Sequence, residues 1–159
     1  MKKLLTVLVS VLMVLACSTM VFAEGNTTEV NYTVSESYEF TVPATTTIST
    51  DSTTLTNGVA ITKNSIAVGK KLQIKVASTN SWNLKLVNGT DNDKLAYTAS
   101  LDSSTWAAIA NDAVVLEKAA GTIGSQNLYA KLTSAAGNET KAGTYKDTLT
   151  FTAAVVDAN

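Results

Sequence analysis

The 159-residue chain contains no His and no Arg, a single Cys at position 17 and a single Pro at position 43. Each absence removes a chemistry. Without imidazole there is no Ser-His-Asp relay and no His zinc ligand. Without guanidinium there is no bidentate phosphate clamp, and one Cys supports neither a thiolate cluster nor an internal disulfide. An excess of positive charge is missing too: twelve Lys stand against thirteen acids, so no basic stripe exists for nucleic acid. Any enzyme built from this set would work through carboxylates alone, so the chain reads as non-catalytic, with no cofactor and no metal. A composition of 45% hydrophobic and 16% charged residues fits one globular domain better than a disordered tail.

An apolar run long enough to span a bilayer is also lacking. Met1-Lys2-Lys3 is a basic start, Leu4 to Ala16 is apolar apart from Thr6 and Ser10, and Val21-Phe22-Ala23 precedes Glu24. That is the pattern of a secretory signal peptide, and the apolar part falls short of the ~20 residues of a membrane span. The expectation is a signal peptide over 1–23 and a mature domain over 24–159, exported and without a membrane span. Val14-Leu15-Ala16-Cys17 also reads as a lipobox, which would anchor the chain through a lipidated Cys17. The chain from Glu24 onward has no cysteine, so it must be held by burial rather than by disulfides.

What is abundant is β-forming. From Glu24 onward there are 23 Thr and 12 Ser, and Thr, Val and Tyr suit a pleated surface better than a helix. Apolar residues alternate with polar ones at Val30, Tyr32, Val34; Tyr38, Phe40, Val42; Leu72, Ile74, Val76; Trp82, Leu84, Leu86; Leu95, Tyr97, Ala99; Leu128, Ala130, Leu132; and Leu149, Phe151, Ala153, Val155. This period of two predicts half-buried strands. Val59 to Val68 adds a strand with Val59, Ile61 and Ile66 as core candidates, and Ser103 to Ala120 reads as a loop followed by a strand. Turn chemistry falls between the runs at Asn57-Gly58, Val68-Gly69, Thr79-Asn80-Ser81, Asn88-Gly89 through Asp93, and Ala136-Gly137-Asn138. Ala44 to Thr56 reads as either an edge strand or a crossover. The fold class expected is all-β, an Ig-like or jelly-roll-like antiparallel β-sandwich of about seven to nine strands.

The string Ala142-Gly143-Thr144-Tyr145-Lys146-Asp147-Thr148-Leu149-Thr150-Phe151 resembles the closing strand of secreted β-sandwich modules of Gram-positive bacteria, including WxL surface proteins. Ser81-Trp82-Asn83-Leu84 resembles that family's first Trp-x-Leu, and Tyr38 to Ala44 resembles the entry strand of related modules. Where the family carries its second Trp-x-Leu this chain has Phe151-Thr152-Ala153. The motif positions are thus Trp82, Leu84, Gly143, Thr144, Tyr145 and Phe151. The closing string is also similar to spore coat protein U-like pilin subunits, whose cysteine pair is absent here. The resemblance implies a β-sandwich at the cell surface, in contact with cell-wall polysaccharide, peptidoglycan or other surface proteins.

Candidate sites are few. Trp82, Tyr97 and Tyr145 alternate with the apolar set and read as core, whereas Trp106 lies in an irregular stretch and reads as the ligand-binding candidate, an aromatic face for a sugar ring. Asp91, Asn92 and Asp93 form an oxygen-rich hairpin tip that lacks EF-hand spacing. Glu36 and Glu39 stand too near in sequence to make a glycosidase pair. No Lys, Asn and acid can be assigned to the facing buried positions that an isopeptide crosslink needs. No sorting motif, apolar tail or basic anchor follows the last run, so the exported chain is expected to diffuse, bind the wall or assemble. Three functions follow: a cell-surface or cell-wall-associated adhesive or structural module, a self-assembling pilin-like filament subunit (a homo-polymer) using Thr27 to Val34 as a detachable strand, or a carbohydrate-binding module using Trp106.

Overall fold

The alternating runs become strands because one side of each can be buried while Thr, Lys and Asn face out. The computed structural model describes residues 29–158. Its nine strands are β1 (Ser37–Thr41), β2 (Thr53–Ser65), β3 (Lys70–Ser78), β4 (Asn83–Leu86), β5 (Lys94–Ser100), β6 (Ala113–Ala119), β7 (Gly124–Leu132), β8 (Tyr145–Lys146) and β9 (Leu149–Asp157). They form two antiparallel sheets, one ordered β1-β2-β7-β5-β4-β8 and the other β6-β3-β9. The fold is sandwich-like, with one sheet curved as a half-barrel and no helix among the described residues. The all-β class is the one the alternation predicts, and nine strands fall within the expected range of about seven to nine.

The chain divides into two units, Met1–Thr33 and Val34–Asn159. Of the first, residues 29–33 are described and carry no strand. The signal peptide over 1–23, the Cys17 lipid site and the start of the Thr27 to Val34 segment lie outside the described residues.

The core of the second unit is built around β3, the middle strand of the smaller sheet. Leu72, Ile74 and Val76 point inward and are fully buried, as are Val59, Ile61 and Leu128 from β2 and β7. Each such side chain contributes roughly 1.5 to 3 kcal/mol by leaving water, so this layer carries most of the fold's stability. Ile109, in the connection before β6, closes one end of the core. The Ser103 to Ala120 region is a loop followed by β6, as expected. In β6 a register shift opposite Ile74/Lys75 turns both Val115 and Leu116 inward and leaves Val114 37% exposed.

Four expectations fail for identifiable reasons. Val30, Tyr32 and Val34 form no strand and are 90%, 91% and 68% exposed, because a strand needs a neighbouring ladder and none is present among the described residues. Asn57-Gly58 is not a turn between strands. It sits inside β2 as a bulge against β7, with positive φ at both residues (70° and 55°), and a Cβ on Gly58 would lie within 2.5 Å of the Gln126 carbonyl oxygen. Tyr38 and Val42 are exposed, and only Phe40 of that run packs on the core, since a bulge between Glu39 and Phe40 turns the strand and β1 has a neighbour on one side only. The closing string is two strands rather than one: β8 belongs to the larger sheet and β9 to the smaller, with the chain changing sheets at Asp147-Thr148.

Candidate functional site

The change of sheet at Asp147 is held by the densest polar cluster in the described residues. Asp147 Oδ2 accepts from the Ser78 and Tyr97 hydroxyls, both at 2.6 Å, and Oδ1 accepts from the Asn80 and Thr148 amides at 3.0 and 2.7 Å. Ser78 Oγ in turn accepts from the Trp82 amide at 2.6 Å, and the Ser78 amide donates to Asn111 Oδ1 at 2.8 Å. The β3–β4 turn needs this support because Ser81 and Trp82 both have positive φ (52° and 60°), a conformation costly for residues with a Cβ. Burial, then the bond to Asp147, push the Tyr97 hydroxyl well above the ordinary tyrosine range. A carboxylate with two donors on each oxygen is a fixed anchor. Its lone pairs are engaged in tying β3, β5 and the β8–β9 junction together.

Beside this anchor lies a groove of about 320 Å³ between β9 and the stretch that follows β1. Val42, Pro43 and Ile48 form one wall, Leu149 and Phe151 the other, and Leu84 and Tyr97 contribute to its lining. Of the two readings of Ala44 to Thr56 the connection is the one observed: residues 44–52 join β1 to β2, and Thr53 onward belongs to β2, which lies between β1 and β7 and is not an edge strand. Leu149, Phe151 and Ala153 are half-buried on the inner face of β9, and Val155, on the same face, is 38% exposed. The parity expected for the closing strand is right, but its burial is incomplete.

The reason is that β9 is an edge. The sheets end at β1, β8, β6 and β9. β8 has two residues, β1 has five with a bulge and Pro43 just beyond it, and β6 has a register shift and carries Glu117 and Lys118. Short length, bulges, proline and charge are the usual means of keeping an edge from pairing with another chain. Before its last residue, Asp157, β9 has none of them: it runs nine residues in unbroken register with β3, and Leu149 to Val156 includes no charge, Pro or Gly. The Ala158 amide donates to Gly69 and the Thr79 amide to Thr148, which fixes the ladder's parity. Even-numbered residues of β9 therefore bond to β3, and Leu149, Phe151, Ala153 and Val155 turn both N–H and C=O outward. Among the described residues no backbone group answers them.

The sequence-predicted residues fall around this groove unevenly. Leu84 and Phe151 line it. Trp82 packs edge-on against Tyr97, centroids 5.7 Å apart, and its buried indole N–H has no partner among the described residues. Gly143 has φ 152° and lies so close to Leu86 that an added Cβ would meet Cδ1 at 2.6 Å, which explains glycine there. The Thr144 carbonyl accepts from Val87, and the half-buried Tyr145 donates to the Lys141 carbonyl at 2.9 Å.

Trp106 lies elsewhere, after an Asp102 turn in which the Ser104 amide and the Ser104 and Thr105 hydroxyls hold the Asp102 carboxyl below its usual range. Lys131 Nζ sits 4.1 Å from the Trp106 ring centroid, so a cation occupies one aromatic face. At the hairpin tip Asp91 pairs with Lys85 and Asp93 with Lys141, both at 2.9 Å, and the Lys141 and Thr90 contacts bring Asp93 down to about 2. Among the described residues no group of three acids comes together as a metal site. Glu36 accepts from the Ala67 amide at 2.7 Å.

Sequence reasoning missed the Asp147 cluster, since single Asp, Ser and Tyr residues at positions 147, 78 and 97 have no spacing signature. The fold sets the class, an all-β sandwich of two antiparallel sheets. No protein-family model matches the chain, and no curated protein matches it either.

Proposed function

We propose that the chain is a non-catalytic module of the cell exterior, structural or adhesive, that works by holding an extended polypeptide along β9. The observation that carries this reading is the unprotected edge of β9 with an apolar groove beside it. Such an edge offers a row of main-chain donors and acceptors, and the groove offers room for alternate side chains, the two elements of recognition by strand addition. The most elaborate polar cluster supports the same reading, because Asp147 braces that groove and its oxygens are already engaged. The leader pattern at 1–23 and the resemblance to WxL surface proteins favour export and residence at a Gram-positive wall, with surface proteins or wall polymers as neighbours. Sedimentation of the full chain with purified Gram-positive cell walls, intact or stripped of their surface proteins, tests this. Co-sedimentation with either preparation is expected, and a chain that stays in the supernatant with both overturns the reading.

A further inference from the structure

The edge of β9 and the exposed stretch Val30 to Val34 are complementary in three independent respects. The first is spacing. Phe151, Ala153 and Val155 turn their main-chain groups to the open side and their side chains inward, at every second position. Val30, Tyr32 and Val34 repeat apolar side chains at the same period, are 68% to 91% exposed, and have Asn31 and Thr33 between them. Laid beside β9, opposite residues of the two strands face the same side, so the three exposed side chains would cover the incompletely buried inner face.

The second respect is size. Centring one trio on the other sets the large Tyr32 opposite the small Ala153, whether the strands run parallel or antiparallel. The third is charge: Val30 to Ser35 and Leu149 to Val156 hold no ionisable group apart from the Tyr32 phenol, so pairing them buries no unpaired charge.

We propose that a second copy of this chain supplies the missing neighbour of β9, by inserting residues 30–34 along its open edge. The inference rests on the reading of β9 as a strand-accepting edge and names the partner. The contact is heterologous, since the segment of one copy meets the edge of the next. Each bound copy then presents a free edge or a free segment, and association continues into open chains unless it closes as a ring.

The test is analytical ultracentrifugation of the full chain over a wide concentration range, with Tyr32→Asp, Ala153→Glu and, as a control on a protected edge, Tyr38→Asp. The unaltered chain and Tyr38→Asp are expected to form a concentration-dependent series of multiples. Tyr32→Asp and Ala153→Glu alone are each expected to weaken association at least tenfold. Mixed, they are expected to give dimers and little beyond, because one supplies an intact edge and the other an intact segment. Tyr32 is exposed, so its variant tests the idea even if Ala153→Glu does not fold.

A chain that stays monomeric at every concentration overturns the proposal, including a monomer whose own segment covers its edge. Association unchanged by Tyr32→Asp overturns it equally. Wall binding separates the two readings: a monomer that still sediments with walls removes the second copy as partner and leaves the proposed function standing, whereas loss of wall binding with association intact does the reverse.

Discussion

β1 and β9 are both edge strands of one sandwich, and they treat their free sides in opposite ways. β1 is five residues long, bulged between Glu39 and Phe40 and followed by Pro43. β9 is nine residues long, straight in register and uncharged up to Asp157. A bulge twists the strand and a nearby proline removes a donor, so β1 resists a further neighbour, while β9 presents a regular row of groups unpaired among the described residues. The same sequence therefore blunts one edge and leaves the other open. The open one is also where the core is incompletely covered and where Asp147 fixes the chain as it enters the strand.

The largest effect is expected away from either edge: Ile74→Ala, in the fully buried middle strand, should cost about 4 kcal/mol in chemical denaturation. Asp147→Ala follows at about 3 kcal/mol, because it leaves the hydroxyls of the buried Tyr97 and Ser78 and two amides without an acceptor. Phe151→Ala should cost about 2 kcal/mol, less than the roughly 3 to 5 kcal/mol of a fully enclosed Phe, since one side of Phe151 faces the groove. A cost matching Ile74→Ala would mean that β9 is covered after all. Thr150→Ala, on the outer face, should stay within about 0.5 kcal/mol.

The anchor can be sharpened by pH. Tyr97 has its folded value raised above the ordinary 10.0, first by burial and then by the bond to Asp147. The native state thus holds this proton more tightly than the unfolded chain. The Tyr97 contribution to stability is full below pH 10 and should fall as pH rises beyond it, and Tyr97→Phe should flatten that decline. Asp93 works in the opposite sense. Its folded value of about 2 lies below the ordinary 3.8, so its contribution is present above pH 3.8 and fades as pH falls toward 2. Thermal melts between pH 2 and 5 with and without Lys141→Ala check this.

Much of the fold was legible in the sequence, because period-two alternation survives folding wherever a strand has neighbours on both sides. Leu72, Ile74 and Val76 in β3 and Leu128 and Ala130 in β7 are buried as the alternation predicts. Apart from the Asn57-Gly58 bulge inside β2, the failures of burial sit where a neighbour is missing. Val30, Tyr32 and Val34 alternate as cleanly as β3 but have no ladder among the described residues, and Val155 faces inward yet stays 38% exposed. Alternation reports which residues can share a face, and only the sheet decides whether that face is buried. The groove was legible in part, since Leu84 and Phe151 stood out as motif positions. Asp147 was hidden within a resembling string, because its role depends on Ser78 and Tyr97, which lie far from it in sequence and have no pattern of their own.

Residue-resolved amide exchange of β9, measured at a dilution where the chain is monomeric, tests the open edge most directly. The amides of Thr150, Thr152 and Ala154 bond to β3 and should exchange slowly, while those of Phe151, Ala153 and Val155 should exchange at least tenfold faster. Equal protection of both sets in the monomer would contradict the account, because it would show that β9 already has a neighbour on its outer side.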